Sequence, residues 1–332
     1  MKKLRVGLTY DLKTDYEFKE NDPPDANAEF DYPTTVDDIA SAIESLGFEV
    51  KRIGNVYNLL KNLDNLNVDI VFNIAEGKNT RNRESQVPVI LETVGIPYVG
   101  SDGLTLGITL DKVTTKKILI TEGIPTPKFF EANTPGYVNI DHLNFPLIVK
   151  PRYEGSSKGL DEKAKVNNEK ELVERINYII STYKQPALVE EFVRGYEFTV
   201  AVVGNDQPKV FPPVQTKIDG RANVDDLFYT FEHLMNHHRI EYIFPAFIDE
   251  KLQKEMMDIA LKAYKVLECR DFGRVDFRMD EQNRIFVLEI NPLPCLSKED
   301  VFNIIAKEIG ITYNQMIEKI LYSALKRYNL IS

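Results

Sequence analysis

The sequence predicts an α/β fold that opens with a doubly wound, mostly parallel sheet and closes in antiparallel hairpins. Three observations carry this. Strand and helix patterns alternate through the first third of the 332 residues, and near-continuous apolar runs such as 69–74 read as buried parallel strands. After residue 190 the pattern turns to strands joined by hairpin turns. At about 150 residues per domain, the length alone allows roughly two domains.

Residues 4–9 read as an aliphatic, β-branched strand. The acidic stretch 15–31 holds Pro23-Pro24 and has no period, so it is expected to be a loop. Thr35 is the expected cap of a helix with Val36, Ile39, Ala40, Ile43 and Leu46 on one face, stopped by Gly47. Residues 48–53 and 69–74 are further strands, and 86–94 is a helix stopped at Gly95-Ile96-Pro97. Asp111 caps a helix over 112–122 that Gly123 ends, and 145–150 is an apolar strand. Asn168, with Glu171 three residues on, resembles a capping box for a helix through Tyr183, and 187–190 returns as a strand. Residues 198–203 and 209–214 flank a Gly204-Asn205-Asp206 hairpin turn. Segment 217–242 is polar and aperiodic and carries three of the four histidines; a connection of that length is a functional lid or disordered. A helix over 250–267, a strand pair over 273–290 and helices at 301–309 and 313–327 complete the chain.

Composition narrows the function. Forty-one basic against 51 acidic residues give a net charge of −10, a poor match for nucleic acid. Two cysteines, Cys269 and Cys295, make neither a disulfide framework nor a zinc cluster and fit a reducing compartment. No apolar run approaches the roughly 18 residues of a membrane span, and the opening MKKLRVGLTYD reads as a strand broken by Asp11 rather than a signal peptide. The expectation is a cytoplasmic enzyme with no nucleic-acid or membrane partner.

Both arms of the 273–290 pair alternate with period two. Arg274, Asp276 and Arg278 share one face, and Glu289 and Asn291 share a face of the other arm. A turn centred on Gln282-Asn283 sets Asp276 across from Glu289 and Arg274 across from Asn291. Like charges directly opposite destabilise a hairpin, and a hard cation such as Mg²⁺ reverses that sign. On its own the pattern also fits a solvated polar face. Lys150 leads into Glu154-Gly155-Ser156-Ser157-Lys158-Gly159, a loop whose N–H groups, hydroxyls and lysines suit phosphate, although neither a Walker A loop nor a G-x-G-x-x-G turn is present. Glu190-Glu191 leaves a buried strand and offers partners to a base and a ribose. His233 and His237 are four apart without the intervening Glu of a zinc motif, and Cys295 lacks a sequence partner that would mark it as a nucleophile.

In this order and spacing, the motifs resemble the ATP-grasp superfamily, D-alanine–D-alanine ligase branch, from about residue 71 to the C-terminus. They are Gly95-Ile96-Pro97-Tyr98-Val99-Gly100-Ser101, Leu110-Asp111-Lys112, Val149-Lys150-Pro151 with the serine loop, Val189-Glu190-Glu191 with Glu197-Phe198-Thr199-Val200, Gly273-Arg274-Val275-Asp276, and Leu288-Glu289-Ile290-Asn291. The resemblance implies an ATP-grasp fold of an N-terminal α/β domain (1–110), a central subdomain (111–190) and a C-terminal subdomain (191–332), the last two sandwiching ATP. It implies that Lys112, Lys150, Ser156 and Ser157 meet the phosphates, that Glu190, Glu191, Phe192, Val193 and Leu288 line the adenine site, and that Glu197 takes the ribose. Asp276, Glu289 and Asn291 would hold two Mg²⁺ ions, or Mn²⁺ in their place. Arg274, with Ser156 and Lys150, would act on the reacting groups. The implied reaction makes an acyl phosphate from a carboxylate and ATP, which an amine then attacks; the partners are ATP and an amino acid or short peptide, and the resemblance leaves room for a homodimer.

The amino-acid half departs from the family. Its usual N-terminal Glu has no counterpart after Thr9-Tyr10-Asp11. The lid motif reads Tyr229-Thr230-Phe231-Glu232-His233-Leu234-Met235 and lacks its Lys, leaving His233, His237, His238 and Arg239 as candidate substitutes. Cys295 and Asp300 stand where the family has Gly and a substrate-binding Ser. The expected substrate therefore differs from D-alanine; true D-alanine–D-alanine ligation and a nucleotide-binding protein that has lost catalysis are the alternatives.

Overall fold

In the first strand the chain alternates Val6 and Leu8 with Gly7, and this alternation sets up two cores, one on each side of a sheet. The structure, a computed structural model, describes residues 4–78, 80–136, 138 and 140–331. Strands β1 (Arg5–Thr9), β2 (Glu49–Gly54), β3 (Ile70–Asn73) and β4 (Tyr98–Val99) form a parallel sheet in the order β2-β1-β3-β4. Val6, Leu8, Ile70 and Phe72 face helix α1 (Pro33–Ser45), whereas Val71 faces α2 (Val56–Lys61) and α3 (Gln86–Thr93). A Cβ at Gly7 would stand 2.6 Å from Ile53, so the close packing on that second face needs glycine. Thr35 is not the cap of α1. Pro33 takes the first turn, where its fixed φ and missing N–H cost nothing, and Thr35 lies buried one turn in.

Helices α4 (Gly103–Leu110) and α5 (Lys112–Thr121) follow, and the Asp111 side chain caps α5 through the Thr114 N–H. A second sheet, antiparallel, has the order β5-β8-β6-β7, from β5 (Phe129–Ala132), β6 (Leu147–Pro151), β7 (Lys165–Val166) and β8 (Ala187–Glu191). Helix α6 (Glu169–Tyr183), capped by Asn168, lays Leu172, Ile176 and Ile179 on it.

The third sheet runs β12-β11-β9-β13-β14 with β10 beside β9, from β9 (Tyr196–Val203), β10 (Lys209–Val210), β11 (Val214–Ile218), β12 (Ile240–Ile243), β13 (Phe272–Met279) and β14 (Ile285–Asn291). Segment 217–242 is more regular than its composition suggests. It contains the end of β11, a short helix α7 (Phe231–Met235) and β12, which pairs with β11 across four residues. Helix α8 (Glu250–Val266) covers Val275 and Phe277 on one face of this sheet. Helices α9 (Val301–Glu308) and α10 (Tyr313–Arg327) finish the chain. Two helices also reach elements distant in sequence: α10 joins α1 on the first sheet, and α5 puts Leu119 into the core under α8.

Candidate active site

The three sheets converge on one cavity of about 1150 Å³. In the parallel sheet, ordered β2-β1-β3-β4, successive strands are added on opposite sides of β1, and loops leaving such a switch point at the carboxyl ends of strands form ligand crevices. Those loops bring Glu29, Asp31, Glu76 and Glu84 to the cavity wall.

Opposite them stands the β13–β14 hairpin. Asp276 pairs in register with Glu289, and Arg274 with Asn291. Below this the register shifts: Phe277 faces Val287, so Leu288 is an extra residue, a β-bulge. The bulge turns Leu288 and Glu289, neighbours in sequence, into the same cavity, while Val287 stays buried beneath. Asp276 accepts from the Thr199 hydroxyl and pairs with Arg274 at 3.1 Å. Burial, together with the Glu289 charge, pushes the Asp276 carboxyl up despite Arg274. Burial would raise Glu289 too, but Lys112 at 3.1 Å and the nearby Lys150 hold it down at about 2. Two opposed carboxylates plus an amide make an oxygen donor set for a hard divalent ion that shares its remaining positions with phosphate. Among the described residues no cluster of three or more His, Cys, Asp or Glu side chains could hold a metal without such help.

Lys112 and Lys150 reach the cavity from α5 and β6. Lys112 Nζ donates to the Glu154 carbonyl at 2.5 Å, at the start of the loop that carries Ser156 and Ser157 into the cavity wall. Lys150 pairs with Glu190 at 2.6 Å, and the other Glu190 oxygen pairs with Lys116 at 2.5 Å. The Glu190 carboxylate is therefore shared by two lysines, and together they keep it below its ordinary range against burial. Burial and the Lys150 charge bring Lys116 down to about 8, in spite of Glu190. Glu191 is tied to Asn144 through two hydrogen bonds of 2.9 Å. Phe192, Val193 and Glu197 line the cavity nearby, organised by the buried Arg278. Its guanidinium pairs with Glu197 at 3.0 Å, donates to the Val193 carbonyl at 3.0 Å and packs over the Phe192 ring at 5.0 Å. Burial raises the Glu197 carboxyl in spite of that partner.

The structure thus gathers the nucleotide, metal and catalytic candidates, Arg274, Lys112, Lys150, Ser156, Ser157, Glu190, Glu191, Phe192, Val193, Glu197, Leu288, Asp276, Glu289 and Asn291, around the same cavity. Sequence reasoning did not name Lys116, and it gave no role to Thr199, quoted only within a motif, or to Arg278, quoted only as sharing a face with Arg274 and Asp276. Lys116 was legible as the residue one turn after Lys112, on the same side of α5. Of the substitutes proposed for the lid lysine, His233, His238 and Arg239 do not line the cavity. His233 is buried as the third residue of α7 and closes a capping box with Thr230. Arg239 is engaged by Asp219 at 2.7 Å and Glu232 at 2.8 Å, and His238 is exposed. The His237 side chain lies outside the described residues. Among the described residues, this segment brings Phe228, Tyr229, Leu234, Met235, Ile240 and Tyr242 to the cavity.

Lysines facing a carboxylate pair across a cleft between two antiparallel sheets define a class, the ATP-grasp ligases. The family model for the D-ala D-ala ligase C-terminus matches residues 119–322. A D-alanine–D-alanine ligase of Carboxydothermus hydrogenoformans is 34% identical over 302 residues, 88% of this chain and 93% of that one. The Sinorhizobium fredii protein y4sG is also 34% identical, over 300 residues and 88% of each chain. The solved D-alanine–D-alanine ligase of Bacillus anthracis, complexed with ATP, superposes with a TM-score of 0.76 over 98% of this chain and 99% of that one, at 22% identity. The chain belongs to the D-alanine–D-alanine ligase family: it is an ATP-grasp, ATP-dependent ligase that uses a divalent metal. No helix among the described residues is long and apolar enough to cross a membrane.

Proposed function

We propose that the chain activates an amino-acid or short-peptide carboxylate as an acyl phosphate and joins it to an amine, in the cytoplasm, with its three units 1–110, 111–190 and 191–332 closing around the reactants. The carboxylate oxygen attacks the terminal phosphorus of ATP and ADP leaves; the amine then attacks the acyl carbon, phosphate leaves and the amine gives up a proton. Asp276, Glu289 and Asn291 would hold two Mg²⁺ ions, or Mn²⁺, which would draw charge from the transferring phosphoryl group. Lys112, Lys150, Ser156 and Ser157 meet the phosphates, Leu288, Glu190, Glu191, Phe192 and Val193 surround the base and Glu197 the ribose. Arg274, 3.6 Å from Asp300, stands beside the reacting carboxyl. Tyr229 and its neighbours exclude water, which would hydrolyse an acyl phosphate. The exposed Tyr57, Leu60, Val89 and Leu104, around one groove on α2 to α4, support a homodimer.

The acceptor we assign is amine-rich or cationic rather than D-alanine. One observation carries this: the amino-acid end of the cavity is acidic. Asp300 lies in the wall with Asp31, Glu76 and Glu84. Burial, then neighbouring acids, pushes Asp31 up to about 7. Burial lifts Glu84 to about 7 against Arg83, and burial with the neighbouring Glu84 and Glu29 lifts Glu76 well above the ordinary carboxyl range. A substrate cation docked there draws these crowded acids into their ionised form and is held by it, whereas a second substrate carboxylate gains nothing from them and is opposed by whichever are ionised. ADP release measured with D-alanine alone, and with a panel of L- and D-amino acids, diamines and dipeptides, tests this. Greater kcat/KM on a cationic acceptor is expected; robust turnover on D-alanine alone at millimolar concentration would refute it.

A further inference from the structure

The polar loop that follows β1 does more than line the cavity. Its carboxylates fasten the serine loop at both ends. At the near end the Gly155 N–H donates to Glu29 Oε1 at 2.6 Å, and Lys158 Nζ pairs with Glu29 Oε2 at 3.2 Å. At the far end the Gly159 N–H donates to Asp25 Oδ2 at 2.7 Å, and that oxygen also accepts the Tyr183 hydroxyl at 2.7 Å. Arg83, from the loop after β3, pairs with Glu29 and donates to the Tyr153 carbonyl at 3.0 Å. The Glu29 side chain and Asp25 are each only 3% exposed, so neither is a casual surface contact.

Between the two anchors, Ser156 and Ser157 both lie in the left-handed region, at φ +46° and +56°. Two successive residues with a Cβ seldom stay there unless their surroundings hold them. The surroundings here are the anchors. A Cβ on Gly155 would stand 2.9 Å from Glu29 Oε1, and one on Gly159 would stand 2.5 Å from Pro151 Cδ. The loop sequence therefore leaves room for the carboxylate at one end and for tight folding at the other.

We propose that Glu29 and Asp25 are positioning residues: the 15–31 segment is a strap that holds the Ser156–Ser157 loop in the shape that receives the nucleotide phosphates. This rests on reading that loop as the phosphate-binding loop. The strap touches no phosphate itself. It acts by removing the conformational freedom the loop would otherwise lose on binding ATP. Because Asp31, at the end of the same strap, lines the amino-acid end of the cavity, a substrate docked there bears on the phosphate loop.

The test uses the full chain and three variants, Glu29→Gln, Glu29→Asp and Asp25→Asn. Amide hydrogen exchange of the metal-free, nucleotide-free protein should rise about tenfold or more in peptides covering 154–160 for Glu29→Gln and Asp25→Asn, with peptides from α8 unchanged. In the same two variants the KM for ATP should rise about tenfold, with the KM for the amino-acid substrates moving far less. Glu29→Asp, which keeps the charge on a shorter arm, should recover part of both effects. Unchanged exchange in the serine loop of both neutral variants would overturn the proposal, as would faster exchange beside a wild-type KM for ATP. A wild-type chain that fails to bind ATP at all would overturn the ligase reading instead, and the exchange arm would still report whether the strap holds the loop.

Discussion

Glu190→Gln removes one carboxylate from between two buried lysines. Glu190 and Lys116 are each 1% exposed, and the ion pairs measure 2.5 Å to Lys116 and 2.6 Å to Lys150. Taking one partner from a buried pair costs about 3–5 kcal/mol, because the charge left behind has neither water nor a counterion. Lys116 limits the loss. It keeps the Thr126 hydroxyl at 2.5 Å, and with its pKa already near 8 it can shed its proton. The expected cost is therefore at the lower end, about 3 kcal/mol, or a fall in melting temperature of about 4 °C in a chain of this size. The assay is thermal unfolding of the nucleotide-free chain at pH 7, with Lys116→Met added in the same background. The double variant should regain part of the loss, since it removes the stranded ammonium. A melting temperature within about 1 °C of wild type for Glu190→Gln would refute the reasoning, because a buried triad cannot lose its anion so cheaply.

Asp276→Asn should lower turnover at least about a hundredfold while leaving the melting temperature of the nucleotide-free chain unchanged or raised, because it relieves a like-charge contact with Glu289. A clear drop in melting temperature with activity kept would make the pair structural. Lys116 has its pKa lowered on folding, so its burial penalty is present below about 8 and is relieved as pH rises toward 10.5. Wild type should thus gain up to about 3 kcal/mol relative to Lys116→Met between those limits in urea titrations, and parallel pH profiles would contradict this. Arg278→Lys should raise the KM for ATP about tenfold, since a lysine cannot hold Glu197, the Val193 carbonyl and the Phe192 face together; an unchanged KM would remove Arg278 from the nucleotide site.

Much of this site was legible because it rests on local patterns. The alternation along β13 and β14 put Asp276 and Glu289 on facing positions, but the turn centres on Gln282, with Met279 opposite Ile285, rather than on Gln282-Asn283, and only the bulge at Leu288 restores the expected opposition. The bulge at Leu288 was not legible, since one extra residue leaves the apolar spacing of the arm nearly intact. Asp111 and Asn168 announced their helices, whereas α1 starts before Thr35, with Tyr32 at the cap position and Pro33 opening the first turn. In segment 217–242 the strand β12 exists because β11 is there to pair with it, and no periodicity over four residues reports that. The apolar stripe of α10 shows which face is buried but not that α1 of the first sheet covers it. Glu29 lies 126 residues from Gly155, and only the folded chain brings them together.

The central claim is that a substrate carboxylate is activated by ATP. It is tested most directly by supplying the amino-acid panel with ¹⁸O in the carboxyl group, together with ATP and Mg²⁺, and analysing the phosphate released. An acyl phosphate passes one labelled oxygen from the carboxylate to phosphate for each bond formed, so ¹⁸O-phosphate should appear in step with ADP. ADP release with unlabelled phosphate only would mean that water attacks ATP directly, and would contradict the account.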